Sequence, residues 1–98
     1  MNNQKISIVA RILTNEEKRE FVKAELIKLV GFSKSDEGCI NYDLHQDNEN
    51  PNLFVVYENW ENKDALQKHA SSKHFVNYVE LTKDAVEEFI VHEMNHIA

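Results

Sequence analysis

Between Gly38 and Phe75 the chain concentrates side chains that carry chemistry: His45, Glu58, Trp60, His69 and His74, interleaved with Tyr42 and Tyr57. Imidazoles titrate near neutrality and accept protons, and an indole supplies one N–H donor on a large apolar wall. A carboxylate set among them must be paired or reach water. Such a set suits removal of a proton from a phenol or enol in an aromatic pocket. The electron-rich anion so formed can pass an electron to molecular oxygen without flavin or metal, provided that donors meet the developing oxyanion and bulk water is kept out. His45 and His74 are the candidate bases, Trp60 the candidate wall and donor, and Arg11 a cation that could pair with the anion. Val56, Glu58, His69, Phe75 and Tyr78 are the candidates for contact with substrate.

Plainer roles compete at each position. A lone Trp at a strand end commonly fills a core or an interface. His45 alternates with Asn41 and Asp43 on a polar strand face, and lines a cavity only if that face meets a partner. His74 opens a helix, where a neutral ring is favoured over imidazolium, and His69 lies on an apolar helical stripe with Leu66. Glu58 needs a partner such as Arg11, or solvent at a pocket mouth.

His92-Glu93-Met94-Asn95-His96 matches the H-E-x-x-H string of zinc proteases. That string works only on a helix, which puts both imidazoles on one face, with a third ligand beyond. Here it follows Phe89-Ile90-Val91 in an alternating pattern, so no metal and no cofactor are expected. The single Cys39 cannot form an intrachain disulfide and reads as a small buried hydrophobe.

The elements that must position these residues are legible from periodicity. At 98 residues the chain reads as one domain, 1–98, of a size that buries only a modest fraction of its apolar surface without a partner subunit. A formal charge of −6 argues against a phosphate-backbone partner. No apolar run is long enough to span a bilayer, and Met-Asn-Asn-Gln-Lys lacks a signal-peptide core, so no membrane partner and a cytoplasmic setting are expected. Ile6, Ile8, Ala10 and Ile12 alternate with Ser7, Val9 and Arg11, as in a strand. Thr14-Asn15-Glu16-Glu17 has the form of a capping box opening a helix, whose core stripe is Val22, Leu26, Leu29, Val30 and Ser33, widened by Phe21 and Ile27. Gly38 ends that segment. Strands over 40–46, with Ile40, Tyr42 and Leu44 on one face, and over 53–60 flank a turn at 47–52; Asn62 caps a short helix; a second helical piece carries Phe75, Tyr78, Val79 and Thr82; and 86–94 alternates again.

The order is βαββαβ, an α+β ferredoxin-like antiparallel sheet with its helices on one face. The other face would stand in water as a mixed apolar and polar surface, so a homodimer with sheets packed face to face is expected.

Gly38-Cys39-x-x-Tyr42-x-Leu44-His45-x-Asp47, Phe54-Val55-x-Tyr57-Glu58-x-Trp60-Glu61 and His69-x-x-Ser72-x-His74-Phe75 together resemble the antibiotic biosynthesis monooxygenase family of dimeric α+β barrel proteins. The resemblance runs from Ile6 to about Val91. It implies the ferredoxin-like fold, a homodimer, and a cofactor-independent monooxygenase that oxidises a small aromatic or quinol-type substrate with O2 in a cavity between sheet and helices. The family is similar also across isomerases of small signal molecules, and a dimeric protein that binds a small molecule without turnover is a third reading. Two departures bear on mechanism. Haem-degrading relatives carry an Asn and a haem-ligating His where this chain has Ala10 and Val79, which disfavours haem; polyketide-oxidising relatives carry an Asn four residues before the Trp, where this chain has Val56.

Overall fold

The computed structural model describes residues 4–98 as one antiparallel sheet with helices on one face. The elements run β1 (Ile6–Thr14), α1 (Arg19–Ser33), β2 (Cys39–Gln46), β3 (Leu53–Trp60), α2 (Lys63–Ala70), α3 (Lys73–Thr82) and β4 (Val86–Met94). The strand order is β2-β3-β1-β4, so the two longest-range pairings place β1 in the centre between β3 and β4. This is the ferredoxin-like α+β arrangement expected from the sequence.

Alternation fixes the faces. Ile8, Ala10 and Ile12 of β1 and Phe54, Val56, Glu58 and Trp60 of β3 point toward the helices and are buried. They meet Val22, Leu26 and Leu29 from α1 in one core. The opposite face carries Ser7, Val9, Arg11 and Leu13 in register with Asn59, Tyr57, Val55 and Leu53, and among the described residues no helix covers it.

Three local expectations are corrected. Thr14 does not cap a helix: it ends β1, almost wholly buried, and its hydroxyl lies 3.4 Å from the Asn52 carbonyl. The chain instead turns at Asn15, whose side chain accepts from the Lys18 amide at 2.8 Å, and α1 starts at Arg19 without a side-chain cap. Phe21 and Ile27 are exposed, because α1 rests on the sheet through the narrower stripe of Val22, Leu26, Leu29 and Ser33. Ile40 does not share the inward face of Tyr42: the register slips between Cys39 and Asn41, a bulge that turns Ile40 outward.

Gly38 is required by its backbone. Its φ of +82° is in the left-handed region, and a Cβ there would collide with the Ala65 side chain of α2. Its carbonyl accepts from the Glu61 amide at 2.8 Å, tying the α1–β2 turn to the end of β3. The α1–β2 turn is thereby held against α2.

Candidate active site

A cavity of about 220 Å³ lies between the inner face of the sheet and the helices. Its walls are mainly apolar, and its polar side chains are Glu58 from β3, His69 from α2, Tyr42 from β2, Tyr78 from α3 and Glu93 from β4. Among the described residues neither Lys nor Arg lines it. It opens on the β4 side, where Phe89 and Val91 face the helices yet stay about half exposed. An apolar cavity of ~150 Å³ accepts a benzene ring, so this one has room for a single substituted six-membered ring.

His69 is the most constrained of the polar groups. It sits in the last turn of α2 with 4% of its surface exposed. Its ring packs against Trp60 at 4.8 Å, Phe75 at 5.1 Å and Tyr42 at 5.4 Å between centroids. Nδ1 lies 2.9 Å from Oδ2 of Asp36. A carboxylate oxygen accepts, so the proton of the ring belongs on Nδ1, and Nε2, which has no partner among the described residues, keeps its lone pair. Burial lowers the pKa of His69, against the raising effect of Asp36. The ring is therefore a neutral acceptor at neutral pH, oriented by an acid behind it.

Asp36 serves a second imidazole. Nε2 of His74 lies 2.9 Å from the same Oδ2, and the His74 ring stacks on Phe32 at 5.6 Å. The two bonds span 33 and 38 residues of chain. Ser72 makes this possible, because its hydroxyl donates to the His69 carbonyl at 2.6 Å and accepts from the Phe75 amide, ending α2 and capping α3.

Glu58 forms the other polar pole. It is 4% exposed, and Oε1 accepts from Trp60 Nε1 at 2.8 Å. Desolvation lifts its pKa to about 7, only partly offset by the indole bond. No cation reaches it among the described residues. Tyr78 is held protonated by burial, its pKa pushed up to about 12, and its hydroxyl has no hydrogen-bond partner among the described residues. Glu93, at the rim, is paired with Lys63 at 3.0 Å.

The residues singled out in the sequence divide into two groups. His69, Glu58, Val56, Phe75 and Tyr78 line the cavity together. Trp60 is fully buried behind it and touches the site through Glu58 and His69, without facing the open space. His74 stands at the outer end of the Asp36 bridge, next to a separate groove with Phe32 and Tyr78. Arg11 and His45 are on the opposite sheet face, each opposite Val55 on its own side, so the sheet separates them from the cavity and Arg11 cannot pair with Glu58. The metalloprotease string is not helical: His92 and Glu93 are in β4 and project to opposite faces, and Asn95–Ala98 follow the strand. Sequence reasoning misses Asp36, since a single acid in a turn has no periodicity to mark it. The one available cue is its place two residues before a glycine that the turn requires.

Comparison with known proteins agrees with this geometry. The antibiotic biosynthesis monooxygenase profile matches residues 5–81. A Bacillus subtilis (strain 168) protein named "Putative monooxygenase YcnE" is 34% identical over 79 residues, 81% of this chain and 83% of that one. One from Mycobacterium tuberculosis, "Putative monooxygenase Rv0793", is 27% identical over 73 residues, 74% of this chain and 71% of that one. The crystal structure of PA3566 from Pseudomonas aeruginosa superimposes with a TM-score of 0.92 at 27% identity, covering 97% of this chain and 96% of that one. With the sheet order, the cavity and the sequence match in agreement, the chain belongs to the antibiotic biosynthesis monooxygenase family.

Proposed function

We propose that the protein is a cofactor-independent monooxygenase that oxidises a small, neutral quinol or phenol with O2 in the cavity between sheet and helices. The observation that carries this reading is His69, oriented by Asp36 behind it and lining an apolar cavity that holds carboxyls and, among the described residues, no cation. Nε2 of His69 takes the phenolic proton, and the phenolate transfers an electron to O2. The two radicals join in a C–O bond at a ring carbon ortho or para to the oxygen, and the peroxide takes the proton back from the imidazolium. Loss of the proton on that carbon then breaks the O–O bond and expels hydroxide as water. A quinol and one O2 give a hydroxyquinone and one water, with no external reductant. Glu58 in its protonated form donates to the substrate oxygen, and the Tyr78 ring adds to the aromatic wall. The lining argues against an anionic or phosphorylated substrate: among the described residues no Lys or Arg lines the cavity to pair with one, and Glu58 would repel it once ionised.

We infer further that two copies pair through the uncovered sheet face. Val9, Leu13, Val55 and Ile90 form its apolar part, with Arg11, His45 and His92 among them. Dimerisation would withdraw these side chains from water while leaving the cavity on the far side of each sheet.

The test is oxygen uptake with a panel of simple quinols and phenols, followed by mass spectrometry of products made under 18O2. One labelled oxygen per product, one O2 consumed per turnover, and a fall in kcat of about 10²–10⁴-fold for His69→Gln are expected, with His45→Ala unaffected. Turnover by proton exchange without oxygen consumption would replace this reading with an isomerase. Tight ligand binding with no turnover of any substrate would replace it with a binding protein.

A further inference from the structure

We propose that Asp36, His69 and His74 form a binding site for one divalent transition-metal ion of the zinc class, and that occupancy of this site switches off His69 as a base. Asp36 Oδ2, His69 Nδ1 and His74 Nε2 all lie within 4.8 Å of one another. They arrive from three separate segments, the α1–β2 turn, the end of α2 and the start of α3. Two imidazoles and one carboxylate are a donor set that borderline divalent ions accept, with the remaining positions filled by water. Bound donors at ~2.1 Å from a common tetrahedral ion are ~3.4 Å apart, so the two 2.9 Å contacts would open by about half an ångström while the imidazole nitrogens, within 4.8 Å of each other, take up the same spacing. Asp36 and His74 keep 19% and 21% of their side-chain surface exposed, which leaves an approach for the ion and its waters.

The supports of these donors are already fixed. Phe32 stacks on His74, Trp60 and Phe75 hold the plane of His69, and Ser72 locks the angle between the two helices that carry the imidazoles. The ion would take Nδ1 of His69, the atom that now holds the ring proton, and would send that proton to Nε2. A ring protonated at Nε2 cannot accept a proton there. Binding itself does not rest on the monooxygenase reading; only its effect on turnover does.

Untagged, chelator-treated protein is titrated with Zn(II) by calorimetry and with Co(II) by visible absorption. One ion per chain is expected, with tetrahedral Co(II) bands that Zn(II) abolishes. Removing a direct ligand should weaken binding more than loss of an outer partner does, by over about 100-fold for His74→Ala and for Asp36→Asn. Both variants are checked for native circular dichroism; His74 is on the surface side, so its loss spares the core. His92→Ala and His96→Ala should bind as the unaltered chain does. Absence of binding, affinity unchanged in His74→Ala and Asp36→Asn, or affinity lost in the His92 or His96 variants would each overturn the assignment. With an active substrate in hand, Zn(II) should inhibit with the same midpoint as its binding curve. Binding without inhibition would refute the switch and leave the metal site standing.

Discussion

Replacing Glu58 by Gln should change how stability depends on pH, by an amount that follows from burial. In the unfolded chain a glutamate titrates near 4.5, whereas in the fold desolvation raises Glu58 to about 7. Below the lower value the group is neutral in both states and has no effect. Above the higher value it is ionised in both, and the folded state carries the full cost of a buried charge softened only by the Trp60 N–H. Stability contributed by this group therefore falls as pH rises between the two values and is level on either side. At about 1.4 kcal/mol per tenfold change in the ionisation constant, the loss is about 3 kcal/mol. A glutamine side chain keeps a carbonyl for the indole bond and never ionises, so the Glu58→Gln chain should lack that loss.

Urea unfolding at fixed protein concentration, from about pH 4 to about pH 8.5, measures it. Trp60, the sole tryptophan, is fully buried beside the mutated position and reports by fluorescence; circular dichroism provides an independent probe. His69 works in the opposite sense, since its lowered pKa makes stability rise with pH up to its unfolded value, but it is present in both chains and cancels in their difference. The difference between Glu58→Gln and the unaltered chain should be constant at low pH and grow by about 3 kcal/mol by about pH 8. A difference that stays flat across the range would show that Glu58 titrates in the fold as it does in the unfolded chain and is not desolvated. The account of the cavity's acidic pole would then fail.

Gly38→Ala should cost about 2–4 kcal/mol in the same unfolding assay, combining a left-handed backbone with overpacking against Ala65; a loss under about 0.5 kcal/mol would mean that the α1–β2 turn is free to shift. Val9→Lys puts a charge at the centre of the uncovered face, in register with Tyr57 and His92, and should turn a dimer into a folded monomer by sedimentation velocity; an unaltered dimer would place the interface elsewhere. Ser72→Ala removes the cap of α3 and the bond to the His69 carbonyl, and should lower stability by about 1 kcal/mol while reducing turnover more than that loss explains. Unchanged turnover in that variant would detach the helix junction from the site.

The strands are legible in the sequence because their alternation is strict, and β3 and β4 end where the pattern ends. Asn62 is recognisable as a cap, and its side chain accepts from the Ala65 amide at 2.9 Å. Thr14 misleads because its capping-box spacing is a local signal, and the same hydroxyl finds a partner across the sheet at Asn52. The site is half legible. Glu58, His69, Phe75 and Tyr78 follow from placing one strand face and two helical stripes on a common core. Which face of the sheet holds the cavity does not follow, since both faces of β2 carry polar and aromatic side chains; this is why His45 and Arg11 fall on the wrong side of the sheet from Glu58. The bridge through Asp36 depends on contacts across more than thirty residues, which no periodicity encodes.

The geometry of that bridge depends on a break that looks like a defect in the sequence. Along an unbroken α-helix of 3.6 residues per turn, two side chains five positions apart point about 140° away from each other. His69 and His74 on a single helix could not reach one carboxylate oxygen. Ser71 and Ser72 end α2 after Ala70, and α3 restarts at Lys73 on its own cap, re-aiming the second imidazole back toward the first. Their ring centroids come within 6.1 Å. A stronger helix former at Ser72 would gain local propensity and fuse the helices. The price of that gain would be the shared carboxylate, and with it the fixed tautomer that leaves Nε2 of His69 free to accept a proton.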